Sequence, residues 1–394
     1  MLKKISTEQL VPGMYIADSG ISRMENPYLY YAETDATVEL INRILRNGFK
    51  EVFIDTERCR PGLIAEDTGF ASALAGGGAY AVPDIPITVE MQAAKSTYSG
   101  ALNQARTFMD SIRNGNTPEL RQAEPLVDEM LQSLGRNPDA LLSLCKLRTQ
   151  DNYTYTHCIN VAVLGIMFAK HLGFSASVQH ATGMAGLFHD LGKSMVPLEI
   201  LNAPRDLSAD EFAVLREHPG MGYDLVKQIS GLPPEVSLGV YDHHERSKGH
   251  GYPRGLSAGD ISPAGRVLAV ADVYDALSSR RPYKDAVMPH RVLGIMYQIR
   301  NKDFYPGYIE HFVRLLGIYP VGSVVELEDG RQGVVSGSNS AAPTRPKVLI
   351  MLAKDGTPLK PEEKDINLGE CPPIQRCLPA GASPIDPAKA FNLE

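Results

Sequence analysis

Residues 186–197, GLFHDLGKSMVP, place His189 and Asp190 side by side at the end of an apolar run, with Gly192-Lys193 directly after them. This stretch limits the fold more than any other. Burying a carboxylate beside Leu187 and Phe188 is costly unless its lone pairs are occupied. Two solutions exist: a capped turn at a helix end with His189 exposed, or a buried pair that holds a metal ion. Neighbouring residues on a helix point ~100° apart, so both reach one ion only from a helix end or a kink. Gly192 is read as the stop of that helix.

The surrounding sequence decides between them. From about residue 91 to 318 the pattern is helical almost throughout, broken briefly at Gly and Pro. His157 shares a helix face with Val161, Leu164 and Phe168, and taken singly would be an ordinary core histidine. His218 follows a helix opened by the capping box Ser208-x-x-Glu211, and Pro219 puts it at a corner. His243 and His244 form a doublet at the end of a helix, followed by a Gly-rich loop. Asp272 lies in the apolar run RVLAVADV of a helix capped by Ser262 and started by Pro263. A carboxylate in such a run needs a partner. Asp275, three residues on, is either a second buried acid or faces polar neighbours.

Each signal is modest, but five histidines and two aspartates on successive helices suit a binuclear non-haem metal site. Imidazole with carboxylate points to iron, manganese or a similar ion, and the lack of thiolates argues against a structural zinc knot. The five cysteines (59, 145, 158, 371 and 377) are scattered, as expected of reduced thiols in a cytoplasmic protein. The net charge of −7, without a Lys/Arg run, argues against duplex nucleic acid as a partner. No apolar run approaches the ~20 residues of a membrane span.

At this point the chain closely resembles the HD-GYP family of the HD superfamily of metal-dependent phosphohydrolases. The motifs are YTHCINVA, HDLGK, EHP, HHERSKGHGYP, ISPAGRVLAVADVYDAL and RRPYK, spanning residues 153–284. Members are cyclic-di-GMP phosphodiesterases of bacterial signalling, which open the dinucleotide to pGpG and often continue to GMP. The resemblance implies that His157, His189, Asp190 and Asp272 hold one metal ion. Asp190 would bridge to a second ion completed by His218, His243 and His244. Lys193 would meet a phosphate oxygen, with Asp190 and Lys193 as the catalytic pair. Tyr252, Arg281 and Lys284 would contact the substrate, and Gly251-Tyr252-Pro253 would also serve protein partners. Some members carry a Glu that binds a third metal where this chain has Tyr153, so two ions are expected. His250 is assigned no role. The alternative is a cyclic-di-GMP receptor with little turnover, but all seven ligand positions are filled.

The implied fold is mainly α: an HD-type helical bundle with a small α/β N-terminal domain and a small β C-terminal appendage. The expected division is an accessory domain at 1–70, a Gly/Ala/Pro-rich linker at 71–90 and lead-in helices at 91–135. The phosphodiesterase domain follows at 136–318, the β appendage at 319–370 and a loose tail at 371–394. In the first part, GMYIA, YLYYA and KEVFID read as strands around a helix capped by Asp35. In the appendage, two strands flank the Asp329-Gly330 turn and PKVLIML is a third.

Overall fold

A computed structural model of the protein describes residues 2–6, 14–16, 34–35, 51–55, 83, 85–145, 153–203, 205, 207–279, 287–339, 342–379 and 381–391. The protein is mainly helical, with a small antiparallel sheet towards each end of the sequence. It divides into two compact units, residues 1–76 with 316–390 and residues 77–315 with 391–394.

The first unit holds both sheets. Strand β1 (Leu2–Ser6) pairs antiparallel with β4 (Glu51–Asp55), Lys4 facing Phe53. Strand β2 (Tyr15–Ile16) lies between β4 and β3 (Thr34–Asp35). Asp35, read as a helix cap, thus ends a strand, while the strand and helix expected at 28–32 and 36–49 lie outside the described residues. The second sheet has the order β8-β7-β6-β5-β9. Strands β5 (Val324–Leu327) and β6 (Gln332–Gly337) flank the expected turn, where Gly330 takes a φ of 88° that favours glycine. Strand β7 (Lys347–Leu352) follows, then β8 (Pro358–Asp365). Strand β8 carries no strand signal in the sequence because its residues are largely exposed, as suits an edge strand rich in charge and proline. The tail read as loose instead supplies strand β9 (Ile374–Cys377), which buries Ile374 and Cys377 and pairs with β5.

The second unit is helical. Helix α1 (Ile87–Arg113) starts straight after Pro86, so the expected linker ends a few residues early. It is followed by α2 (Glu124–Arg136) and α3 (Pro138–Leu144), the latter capped by the Asn137 side chain on Asp139 N–H. Helix α4 (Tyr153–His171) is buried on nearly every side from Cys158 to Ala169, as befits a central helix without a polar face. Around it pack α5 (Ala176–Phe188) and α10 (Pro263–Ser278), with α9 (Pro234–Asp242) against both. Between α5 and α9 come α6 (Leu198–Leu201), α7 (Ala209–Leu215) and α8 (His218–Lys227). The capping box that opens α7 is present, and α8 begins at the His218-Pro219 corner. Helices α11 (Pro289–Asp303) and α12 (Tyr308–Leu316) complete the unit. Phe312 of α12 packs edge-on against Phe168 and Tyr274. Among the described residues, no helix is long and apolar enough to cross a membrane.

Candidate metal centre

Helix α5 ends one residue before His189, and Asp190 opens a short 3-10 turn, Leu191–Met195. The chain therefore kinks at the His-Asp pair, which lets two adjacent side chains face one point. Gly192 does not end the helix, as the sequence suggested. It lies where the 3-10 turn presses on α8, and a Cβ there would run into the His218 carbonyl. Glycine thus brings His218 up beside Asp190.

Six of the seven expected ligands are buried around one site, and the seventh, His244, is half-buried there. One group is His157, His189 and Asp272, and a second is His218, His243 and His244. Asp190 lies between them. Its Oδ2 is 3.5 Å from His189 Nε2 and 3.9 Å from His157 Nε2, while Oδ1 is 3.4 Å from His218 Nε2. Asp272 likewise turns Oδ1 to His157 Nε2 at 3.1 Å and Oδ2 to His244 Nδ1 at 3.6 Å.

Hydrogen bonds fix which imidazole nitrogens face inward. His189, His218 and His243 each donate Nδ1–H to the carbonyl three residues earlier, Gly186, Leu215 and Val240, at 2.7–2.8 Å. Their Nε2 lone pairs therefore point into the cavity. His218 Nε2 and His243 Nε2 stand 3.3 Å apart, a repulsive contact between two lone pairs unless a cation lies between them. Asp190 Oδ1 is buried and has no hydrogen-bond partner. Convergent buried lone pairs and an orphaned carboxylate oxygen fit divalent cations.

The electrostatics agree. Burial, with neighbouring imidazoles, pushes His189 down and His243 and His244 well down, so all three are neutral. Burial alone would raise Asp190 and Asp272, but the facing imidazoles, and Lys193 beside Asp190, hold both well below the usual carboxylate range. His157 differs: burial opposes its charge, yet Asp272 and Asp275 outweigh that and push it up to about 9. Lys193 Nζ donates to Asp190 Oδ2 at 2.6 Å, and this neighbour raises its pKa against the effect of burial.

Tyr252 reaches the same cavity, its ring centroid 4.6 Å from that of His244, and the Arg216 guanidinium lies over its ring. Burial and the two site aspartates raise its phenol, so it stays protonated. The loop is tied from beneath by Glu245, whose carboxylate accepts Arg254 N–H at 2.7 Å and Leu256 N–H at 2.9 Å. Gly251 lies so close over Glu245 and the Arg246 N–H that a side chain has no room. His250 points elsewhere and meets Asp303 at 3.1 Å. Arg281 and Lys284 lie outside the described residues, as does the side chain of Tyr153.

Cyclic di-GMP phosphodiesterase PA4108 of Pseudomonas aeruginosa is 34% identical over 408 residues, covering 100% of this chain and 94% of that protein. The chain belongs to the HD-GYP family of metal-dependent phosphodiesterases. The HD domain family matches residues 142–307, and the KOW domain associated with HD domain matches 324–374. A domain of unknown function (DUF3391) matches 2–123. A cyclic di-GMP phosphodiesterase of Thermotoga maritima is 27% identical over 285 residues, 71% of this chain and 75% of that protein. The 3'3'-cGAMP-specific phosphodiesterase 1 of Vibrio cholerae is 34% identical over 157 residues, 40% of this chain and 36% of that protein.

Three features of this HD-GYP site were missed or left open in the sequence. Asp275 is a buried acid that accepts His157 Nδ1–H at 2.7 Å, the first of the two alternatives left open. Its i,i+3 spacing from Asp272 was the available signal. Glu245, directly after the His doublet, was given no role in the sequence, because nothing local shows that a loop folds over it. Cys158 sits within ligand distance of His189 and Asp190, but burial and Asp190 push its thiol well up.

Proposed function

We propose that this HD-GYP protein hydrolyses cyclic-di-GMP to pGpG and on to GMP, at two iron or manganese ions, and so lowers this bacterial second messenger in control of biofilm and motility. The observation that carries the proposal is Asp190, with one oxygen turned to each of two buried ligand groups. In this reading His157, His189 and Asp272 complete one ion site, and His218, His243 and His244 the other. Ions held there would supply Lewis acidity and activate water for attack at neutral pH. Iron or manganese suits a donor set of imidazole and carboxylate without thiolate.

The protein groups do the rest. Asp190 and Asp272 each turn one oxygen to each ligand group, which holds the two groups in register. Lys193 uses one of its three ammonium hydrogens on Asp190 and turns the others to a phosphate oxygen as charge develops there. Tyr252 donates its phenolic hydrogen to the substrate and walls the cavity above His244. Arg281 and Lys284 are proposed as further phosphate contacts. Residues 136–318 carry this chemistry in the cytoplasm, residues 1–70 serve as an accessory domain, and Gly251-Tyr252-Pro253 offers a contact for protein partners.

The named activities of the Pseudomonas and Thermotoga relatives support cyclic-di-GMP, whereas the Vibrio relative acts on 3'3'-cGAMP. The test is anaerobic reconstitution with Mn²⁺ or Fe²⁺, separate incubation with each dinucleotide, and chromatography of the products. Conversion of cyclic-di-GMP to pGpG and then GMP is expected. Binding without product identifies a receptor instead, and faster turnover of 3'3'-cGAMP overturns the substrate assignment.

A further inference from the structure

Helix α1 precedes the residues matched by the HD domain family and lies within those matched by the domain of unknown function. One of its side chains nevertheless joins a buried hydrogen-bonded chain that ends at His157. Tyr98 donates its hydroxyl to Asn160 Oδ1 at 2.9 Å. Asn160 Nδ2 donates to Asp275 Oδ1 at 3.0 Å and to the Cys145 carbonyl at 3.1 Å. Asp275 Oδ2 accepts His157 Nδ1–H at 2.7 Å. All four side chains are buried, Tyr98 being the most accessible at 8%.

The direction of this chain is determined. Asn160 Nδ2 faces two acceptors, so flipping the amide would set its oxygen against a carboxylate and a carbonyl. Its Oδ1 must therefore face Tyr98, and Tyr98 must donate. Asp275, held at one oxygen by Asn160, offers the other to His157. That bond leaves His157 Nε2 as the atom turned to Asp272 and His189. A ligand held this way is oriented before any ion arrives, and loosening the group behind it weakens metal binding.

We propose that Tyr98 is a positioning residue for the ion site containing His157, acting through Asn160 and Asp275. Helix α1 thereby sets metal affinity in a domain to which the family match does not assign it. The proposal rests on the reading of His157 as a metal ligand. It predicts the larger effect at one of two ions, because the hydrogen-bonded chain ends on His157, whereas the second group is reached from there through Asp190 and Asp272.

The test is Mn²⁺ titration of the metal-free full-length protein, followed by calorimetry and by the spin resonance of unbound Mn²⁺, in wild type, Tyr98→Phe, Asp275→Asn and His157→Ala. Tyr98→Phe removes only the hydroxyl. It is expected to weaken one of two Mn²⁺ equivalents by about 3-fold, less than the ~10- to 100-fold that follows loss of a group bonded to the ligand itself, and to change the other less. Asp275→Asn is expected to weaken the same equivalent further. Turnover by Tyr98→Phe should fall at limiting Mn²⁺ and recover at saturating Mn²⁺. A purely structural hydroxyl lowers the melting temperature and leaves both affinities alone, and that result overturns the proposal. Wild-type protein without two Mn²⁺ sites, or His157→Ala binding as wild type does, overturns the ligand reading itself, and with it the proposal.

Discussion

At the scale of single residues, Asp190 and Gly192 carry the most consequence. Asp190→Ala removes the carboxylate that stands between His189 and His218 with one oxygen turned to each, and leaves the half-buried Lys193 without its counter-ion. We expect turnover to be abolished and metal content to fall well below two equivalents, as read by elemental analysis of protein purified without air. Retention of full activity is incompatible with a bridging Asp190. Gly192→Ala is a test of packing, since the added methyl meets the His218 carbonyl across the 3-10 turn. Overpacking of this kind costs about 1–3 kcal/mol. Urea unfolding should show that loss, together with weaker metal binding, because the relieving movement carries His218 away from Asp190.

At the scale of elements, the loop over the site and the helix that precedes it depend on buried acids. Glu245→Ala frees two loop N–H groups, those of Arg254 and Leu256. The expected result is a KM raised by about 10-fold with metal content unchanged, because Tyr252 loses its placement while the ligands keep theirs. Helix α1 is fastened to α2 by Glu90, which is 1% exposed and accepts from Arg136 at both oxygens, at 2.6 and 2.7 Å. Burial raises the Glu90 pKa, but the guanidinium outweighs it and leaves the carboxyl below its ordinary 4.5. The stability from this pair is therefore present above pH 4.5 and is lost as the pH falls through the lower, folded-state value. Glu90→Gln should lower stability by about 1–2 kcal/mol at pH 7, since Arg136 is partly solvated. The gap in melting temperature between variant and wild type should close as the pH is taken below that value. A gap independent of pH would show that the pair contributes by shape rather than charge.

At the scale of the whole molecule, six imidazole and carboxylate side chains around Asp190 come from α4, the end of α5, α8, the end of α9 and α10. Ions that bind only this assembly stabilise it in proportion to their saturation, by about 2.7 kcal/mol at a hundredfold excess over Kd. Chelation should therefore lower the melting temperature of the wild type and hardly move that of Asp190→Ala. Melting curves with and without chelator measure this directly.

The sequence by itself determined the helical region, the turn at Asp329-Gly330, the capping box at Ser208 and the residues that converge in the cavity. These are local signals: helical periodicity, cap chemistry, and polar groups placed where burial demands a partner. Edge strands β8 and β9 were not legible, because Lys, Glu and Pro on the exposed β8 carry no alternating pattern and the four residues of β9 are too few to show one. The role of Gly192 was misread as a helix stop, since the His218 carbonyl it accommodates is 26 residues away in the chain. Asp275, Asn160 and Tyr98 could not be linked in advance for the same reason. Their hydrogen bonds span 115 and 62 residues, and only packing α1, α4 and α10 together gives those donors and acceptors to one another.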